Sequence, residues 1–344
     1  MHEHQLSLRP FLLSATVLAV VLLPGCVHRS PGTLHKPSDA PLTDAEEELR
    51  QELVRDVQTL ATEIGPRNSA YTPMQIYEAE RWLLDEIAAA GLEAHRVEVK
   101  MGEAVVANIE VTFPGDQNAD EVLVIGAHYD TAYGSPGAND NASGVAMLLA
   151  AVRRLGDAEL DRTVRIVFFV NEEYPFTTGI QMGSKVYAKH CLAQEDRIVA
   201  MINVDSVGYF SNERGSQRYP ILALNLPKRA NFIAFGSNMN NAPLLDAVVS
   251  VFQAQSKFPS IGAASDSKHA SRGDHAAFWW SGFPAIAMSD TSEYRDPHYH
   301  SPTDRAENLN YDEMARLANA FIPTVVALAD AGTELPVIVS ETGD

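Results

Sequence analysis

Residues 122–127 read VLVIGA and lead directly into His128-Tyr129-Asp130, and residues 164–170 read VRIVFFV and lead into Asn171-Glu172-Glu173. Largely apolar runs of this length are expected of strands buried on both faces of a sheet. Between them lie a glycine-rich loop, GSPGANDNASG over 134–144, and a helical pattern over 143–155. Strand, helix and strand in that order predict a parallel pair joined by a crossover. In an open sheet of this kind ligands bind beyond the carboxyl ends of the strands. Polar residues that follow the apolar runs are therefore the first candidates for a site.

The alternation continues on both sides. Upstream, Thr43-Asp44 opens a capped amphipathic helix with Leu49, Leu53, Val57 and Leu60 on one stripe, stopped at Gly65-Pro66. Residues 72–90 repeat the pattern with Tyr77, Trp82, Leu83 and Ile87, and Gly91 supplies the stop. Residues 93–99 and 104–113 predict a strand pair. Downstream, strands are expected over 199–204, 232–235 and 284–288, and helices over 184–190, 242–253 and 311–329. No internal repeat or compositional break interrupts 43–332. The expectation is one α/β domain over 43–332, a three-layer sandwich with a central, largely parallel (mixed) β-sheet flanked by helices, followed by a C-terminal tail over 333–344.

Hydrophobic residues make up 46% of the 344, enough for a sizeable core, and 26 Lys and Arg against 45 Asp and Glu give a net charge of −19. That sign repels a phosphate backbone, so no nucleic-acid partner is expected. Cys26 and Cys191 are the two cysteines, which excludes a disulfide scaffold. The uncharged run over 11–23 falls short of the ~20 residues a membrane-spanning helix needs and suits the apolar part of a signal peptide over 1–25. It ends in Leu23-Pro24-Gly25-Cys26, which resembles a bacterial lipobox, where the cysteine becomes lipidated. On that reading residues 26–42, rich in Pro, Ser, Gly and Thr, form a flexible tether. Cys191 is then a lone packed thiol, and the membrane is engaged only through the Cys26 anchor. Val27, where an Asp would signal inner-membrane retention, points to the outer membrane of a bacterial envelope, facing the periplasm or the exterior. Cleavage at an ordinary signal-peptidase site, giving a soluble periplasmic or secreted protein, is the alternative.

The polar residues converge. His128 and Asp130 follow one strand, Asp140 sits in the glycine-rich loop, Glu172 and Glu173 follow the next strand, and Asp205 follows 199–204. The run over 284–288 leads through Ser289 and Asp290 towards His298 and His300. Each has an ordinary explanation alone: a packed histidine, acids complementing a helix N-terminus, a cap, a turn former. Gathered at one sheet edge, they describe one site. Two histidines and three carboxylates suit divalent cations, and three carboxylates with a hydroxide balance two zinc ions. A carboxylate bridging metals ~3.5–4 Å apart is a known template for hydrolysis.

Six pieces carry a resemblance: HYD (128–130), GANDNASG (137–144), NEE (171–173), NVDSVGY (203–209), RGDHAAF (272–278) and HYHSPTD (298–304). In that order they resemble the co-catalytic dizinc aminopeptidases of clan MH, of the aminopeptidase S and aminopeptidase Y type. The resemblance implies a zinc-exopeptidase-like fold, peptide substrates and two Zn²⁺ ions, with Co²⁺ or Mn²⁺ as other occupants. It implies that Asp140 bridges both metals, that His128 and Asp205 hold one, and that Glu173 and His300, in preference to His298, hold the other. Glu172 would be the general base, taking a proton from the metal-bridging water and passing it to the leaving amine, and Asp130 would fix the His128 imidazole. Asp274 and His275 would support the site without ligating, with Gly273 where the family carries serine. The main departure is YPFTTGIQM over 174–182, either a pocket wall or lid or an ordinary loop extension. Residues 211–230 form a second candidate rim.

Two other readings stand beside an exported aminopeptidase. Glutaminyl cyclisation or carboxypeptidase action would use the same fold. A non-catalytic surface binding protein would be expected to have lost metal-binding residues, and the set His128, Asp140, Glu173, Asp205 and His300 is intact.

Overall fold

Along strand β4 (Asn118–His128), Leu123, Ile125 and Ala127 enter one hydrophobic core, while Val122 and Val124 enter a second on the opposite face. Strand β5 (Arg162–Phe169) divides in the same way, Val164, Ile166 and Phe168 against Val167 and Phe169. This period-two partition of continuous apolar runs is the physical basis of a sheet covered on both sides. The molecule is described by a computed structural model over residues 27–30, 40–219 and 226–336. The expected signal segment over 1–25, Cys26, positions 31–39 of the tether, 220–225 of the second rim and the tail beyond 336 lie outside the described residues.

The remaining strands are β1 (His28–Ser30), β2 (His95–Met101), β3 (Ala104–Phe113), β6 (Arg197–Val204), β7 (Ile233–Ser237), β8 (Ser260–Ala264) and β9 (Ala285–Ser289). They form one nine-stranded mixed sheet in the order β1-β8-β7-β9-β6-β4-β5-β3-β2. Its centre, β9-β6-β4-β5, is parallel throughout, while β2, β3 and β7 join through antiparallel pairs. Helices α1 (Asp44–Gln58), α2 (Pro73–Ala89), α3 (Gly144–Leu155), α5 (Ala242–Gln255) and α7 (Tyr311–Ala329) contribute to the larger core. Helices α4 (Gly183–Ala193) and α6 (Asp274–Trp280) cover the smaller one. Cys191 lies in that smaller core, where burial pushes its thiol up to about 12.

Most expected elements are present within a few residues. Thr43 caps α1 reciprocally with Glu46, its hydroxyl accepting from Glu46 N and its own N–H donating to the Glu46 carboxylate. A widened helical turn carries the chain from α1 to Gly65, whose φ of +80° ends it. Three elements depart from the sequence reading. The sequence pattern predicts neither β8 nor α6, and His28–Ser30 pairs antiparallel with β8 inside the expected tether. An open strand edge offers unpaired backbone groups, and His28 Nε2 adds a hydrogen bond with Asp246 Oδ1 at 2.8 Å.

The order of connection fixes where a site can form. The chain leaves β4 through α3 to reach β5 on one side, then crosses through α4 to reach β6 on the other. The winding therefore reverses at β4, and the crevice beyond its carboxyl end is where open α/β sheets bind ligands. His128 is the last residue of β4.

Candidate metal centre

Four strand ends deliver the site. His128 closes β4, the loop before α3 carries Asp140, the turn after β5 carries Glu172 and Glu173, Asp205 follows β6, and His300 lies on the loop after β9. Asp140 is the shared member. Its Oδ1 lies 3.2 Å from His128 Nε2, and its Oδ2 lies 3.0 Å from His300 Nε2. Asp205 Oδ1 approaches His128 Nε2 at 3.8 Å, and Glu173 Oε1 approaches His300 Nε2 at 2.9 Å. Ligand-capable atoms within each trio, His128–Asp140–Asp205 and Asp140–Glu173–His300, all fall within 4.8 Å of one another. The structure brings His300 to this centre and not His298, whose Nδ1 is occupied by the Thr303 hydroxyl at 2.9 Å.

Asp130 acts in two directions. Its backbone carbonyl lies 3.1 Å from His128 Nδ1, closer than its carboxylate at 3.5 Å. The carboxylate mainly receives the next strand's turn: Oδ1 accepts from Glu172 N at 3.1 Å, and Oδ2 from Glu173 N at 3.0 Å. One buried side chain thus ties the His128 and Glu172–Glu173 segments together.

Asp304 does the same for Asp140. Its two oxygens accept the backbone N–H groups of Asn139 at 2.8 Å and Asp140 at 3.1 Å. It lies within HYHSPTD, but nothing in that motif announced a backbone clamp. Arg67, fully buried, donates to five main-chain carbonyls, those of Leu60, Gly65, Tyr129, Pro136 and Gly137. Its isolated occurrence in the sequence gave no signal. Gly144 permits a close approach between the Asp140 loop and β6. A Cβ there would lie 2.4 Å from Asn141 Oδ1 and 2.5 Å from the carbonyl of Val204, so any side chain would wedge the Asp140 loop away from the end of β6.

The electrostatics follow from crowding carboxylates into a buried space. Burial opposes charge on both imidazoles, but their carboxylate neighbours win: His128 is held well above its usual range, and His300 is pushed up to about 11 by Asp140 and Glu173. Burial works against the Asp140 carboxylate too, yet the two imidazoles hold it below the usual range. Burial, reinforced by negative neighbours, raises Glu172 and Glu173. Asp274 is pushed up to about 7, chiefly by burial.

These residues fit a divalent metal. Two imidazole nitrogens and three carboxylates are the donors borderline cations take. Glu173 Oε1 is buried and makes no well-aligned hydrogen bond although His300 Nε2, another donor of its trio, lies 2.9 Å away, as expected of two ligand atoms that face one ion. Protons and metal compete for these imidazoles and carboxylates, so affinity should fall on acidification.

Comparison with known proteins agrees. The sequence model of Peptidase family M28 matches residues 108–325. The uncharacterized protein YfbL of Escherichia coli (strain K12) is 29% identical over 328 residues, covering 92% of this chain and 98% of its own. A probable leucine aminopeptidase of Arthroderma otae is 27% identical over 301 residues, 82% of this chain and 73% of its own. Among solved structures, BSAP, a zinc aminopeptidase from Bacillus subtilis, aligns with a TM-score of 0.65 at 13% identity, covering 85% of this chain and 98% of that one. A glutaminyl cyclase from Porphyromonas gingivalis aligns with a TM-score of 0.58 at 19% identity, covering 80% and 97%. Both structures share this fold.

Replacing Asp304 by Ala leaves two buried N–H groups without their acceptor, which should cost about 1–3 kcal/mol each if no water replaces it. Urea denaturation should show the loss, and metal analysis should show Asp304→Ala holding less zinc than the parent.

Proposed function

The chain belongs to Peptidase family M28, and from that premise we propose that it is an exported zinc aminopeptidase removing N-terminal residues from peptides. The observation that carries this reading is the Asp140 carboxylate, one oxygen facing each of two complete ligand trios. His128 and Asp205 would hold one zinc ion and Glu173 and His300 the other, with Asp140 between them. When bound, such a pair supplies a Lewis acid for the scissile carbonyl and lowers the pKa of the attacking water.

The chain's own residues account for the remaining work. Glu172 takes the proton from water and delivers it to the departing amine. Burial raises its carboxyl above the usual range, which strengthens it as a base. Asp130 fixes both ends of this arrangement, orienting His128 through its carbonyl and holding the Glu172 main chain through its carboxylate. The leucine aminopeptidase and zinc aminopeptidase names of its relatives favour the exopeptidase direction. Glutaminyl cyclisation would use the fold shared with the cyclase structure, and the intact second trio favours hydrolysis over it.

Glu172→Gln should keep its zinc while kcat on aminoacyl arylamides falls by about 10²–10⁴. Unblocked arylamides should be cleaved by the parent and N-blocked ones spared. Near-normal turnover of the variant, or cleavage of blocked compounds, would refute the assignment.

Export rests on the apolar run over 11–23, and the lipid anchor on Leu23-Pro24-Gly25-Cys26. The proposed location is the outer membrane, facing the periplasm or exterior. Labelled fatty acid should enter the parent in cells and be absent from Cys26→Ser; equal labelling of both would refute the anchor.

A further inference from the structure

Two tyrosines with no role in the chemistry above, Tyr133 and Tyr174, stand on the loops that carry Asp130 and Glu172, and a third, Tyr71, stands on the segment that leads into α2. Tyr133 is 72% exposed, Tyr174 69% and Tyr71 44%. Tyr133 lies three residues beyond Asp130, and Tyr174 directly follows Glu173. The rings of Tyr71 and Tyr133 meet with centroids 4.6 Å apart and planes inclined by 58°. Met74, 71% exposed, sits one residue into α2, just beyond Tyr71.

The rings are exposed, but the backbone beneath them is fixed. Asn68 is buried, and its single Nδ2 donates to the carbonyls of both Thr131 at 2.9 Å and Tyr174 at 3.1 Å. Arg67 and Thr131 are joined by Thr131 N donating to Arg67 O at 2.6 Å and Arg67 N donating to the Thr131 hydroxyl at 2.9 Å. The Thr177 hydroxyl donates to Glu172 O at 2.8 Å, and Phe176 is buried. The 174–182 segment is therefore pinned at its start, and the three loops that carry the tyrosines are locked to one another. Exposed apolar surface on a rigid support marks a contact face, and tyrosine offers large contact area at low conformational cost.

We infer that Tyr71, Tyr133 and Tyr174 form the subsite for the residue on the leaving-group side of the scissile bond, selecting a large aromatic or apolar side chain there. The inference rests on the aminopeptidase reading. Its direction follows from the proton path: Glu172 hands its proton to the departing amine, so the residue bearing that nitrogen emerges beside Glu172. The Glu172 segment continues into Tyr174, and it is hydrogen-bonded to Asp130, whose segment continues into Tyr133. These three rings carry no charge, which suits an apolar side chain.

The test uses the full zinc-loaded chain with leucinamide, Leu-Gly-NH₂ and Leu-Phe-NH₂, with leucine release measured. The parent should prefer Leu-Phe-NH₂ over Leu-Gly-NH₂ in kcat/KM by roughly ten-fold, mainly through KM. In the Tyr133→Ala/Tyr174→Ala double variant that ratio should collapse to about two-fold or less, while Tyr133→Phe/Tyr174→Phe should retain it. A ratio within one enzyme is insensitive to general loss of activity, and Tyr174→Ala alone serves if the double variant does not fold. A parent that cleaves these compounds without preference, or a ratio unchanged by the alanines, overturns the subsite alone. If the alanines instead change discrimination between Phe-NH₂ and Ala-NH₂, the rings hold the first residue and the assigned side is wrong. A parent inert to all unblocked compounds overturns the aminopeptidase reading and the subsite with it.

Discussion

A single carboxylate shared between two imidazoles is the constraint on which this structure turns. Asp140 can face His128 with one oxygen and His300 with the other only if loops after β4 and β9 meet at the same point. Asp304, four residues past His300, makes them meet by gripping the main chain at Asn139 and Asp140. The loop bearing one histidine thus holds the carboxylate that the other histidine needs.

The same constraint concentrates negative charge. Asp130, Asp140, Glu173, Asp274, Asp290, Asp296 and Asp304 are buried at this end of the sheet. Arg67 and Arg295 are buried there too, and burial lowers each guanidinium to about 10. Backbone N–H groups offset part of the cost of burial for several acids: Asp290 accepts from Tyr209 and Ser292, Asp296 from His298. Burial still outweighs these bonds, raising Asp296 and pushing Asp290 to about 6 and Asp304 to about 7. A bound pair of divalent cations would relieve this crowding and stabilise the fold by mass action.

How much of this the sequence discloses depends on the range of the interaction. Leu49, Leu53 and Val57 recur along one helix, and the residues of VLVIGA along one strand, so their burial is a local pattern. His128, Glu172, Glu173 and Asp205 are legible because they follow apolar runs, and parallel strands bring such positions to one edge. β8 is not legible: SIGAA has little apolar bulk, and Gly262 is required because Ser30 packs against it, with a Cβ there falling 2.5 Å from Ser30 Cβ. α6 spans Asp274–Trp280, too short for a helical period to stand out. Arg67 and Asp304 were hidden for another reason. They bind main-chain groups, and a backbone partner leaves no residue type in the sequence to pair with.

The shared carboxylate can be examined directly by anomalous diffraction at the zinc edge from crystals of the metal-loaded chain. Two peaks ~3.5–4 Å apart are expected, each within ~2.0–2.2 Å of a different Asp140 oxygen. A single peak, or two peaks of which Asp140 touches only one, would contradict the shared carboxylate.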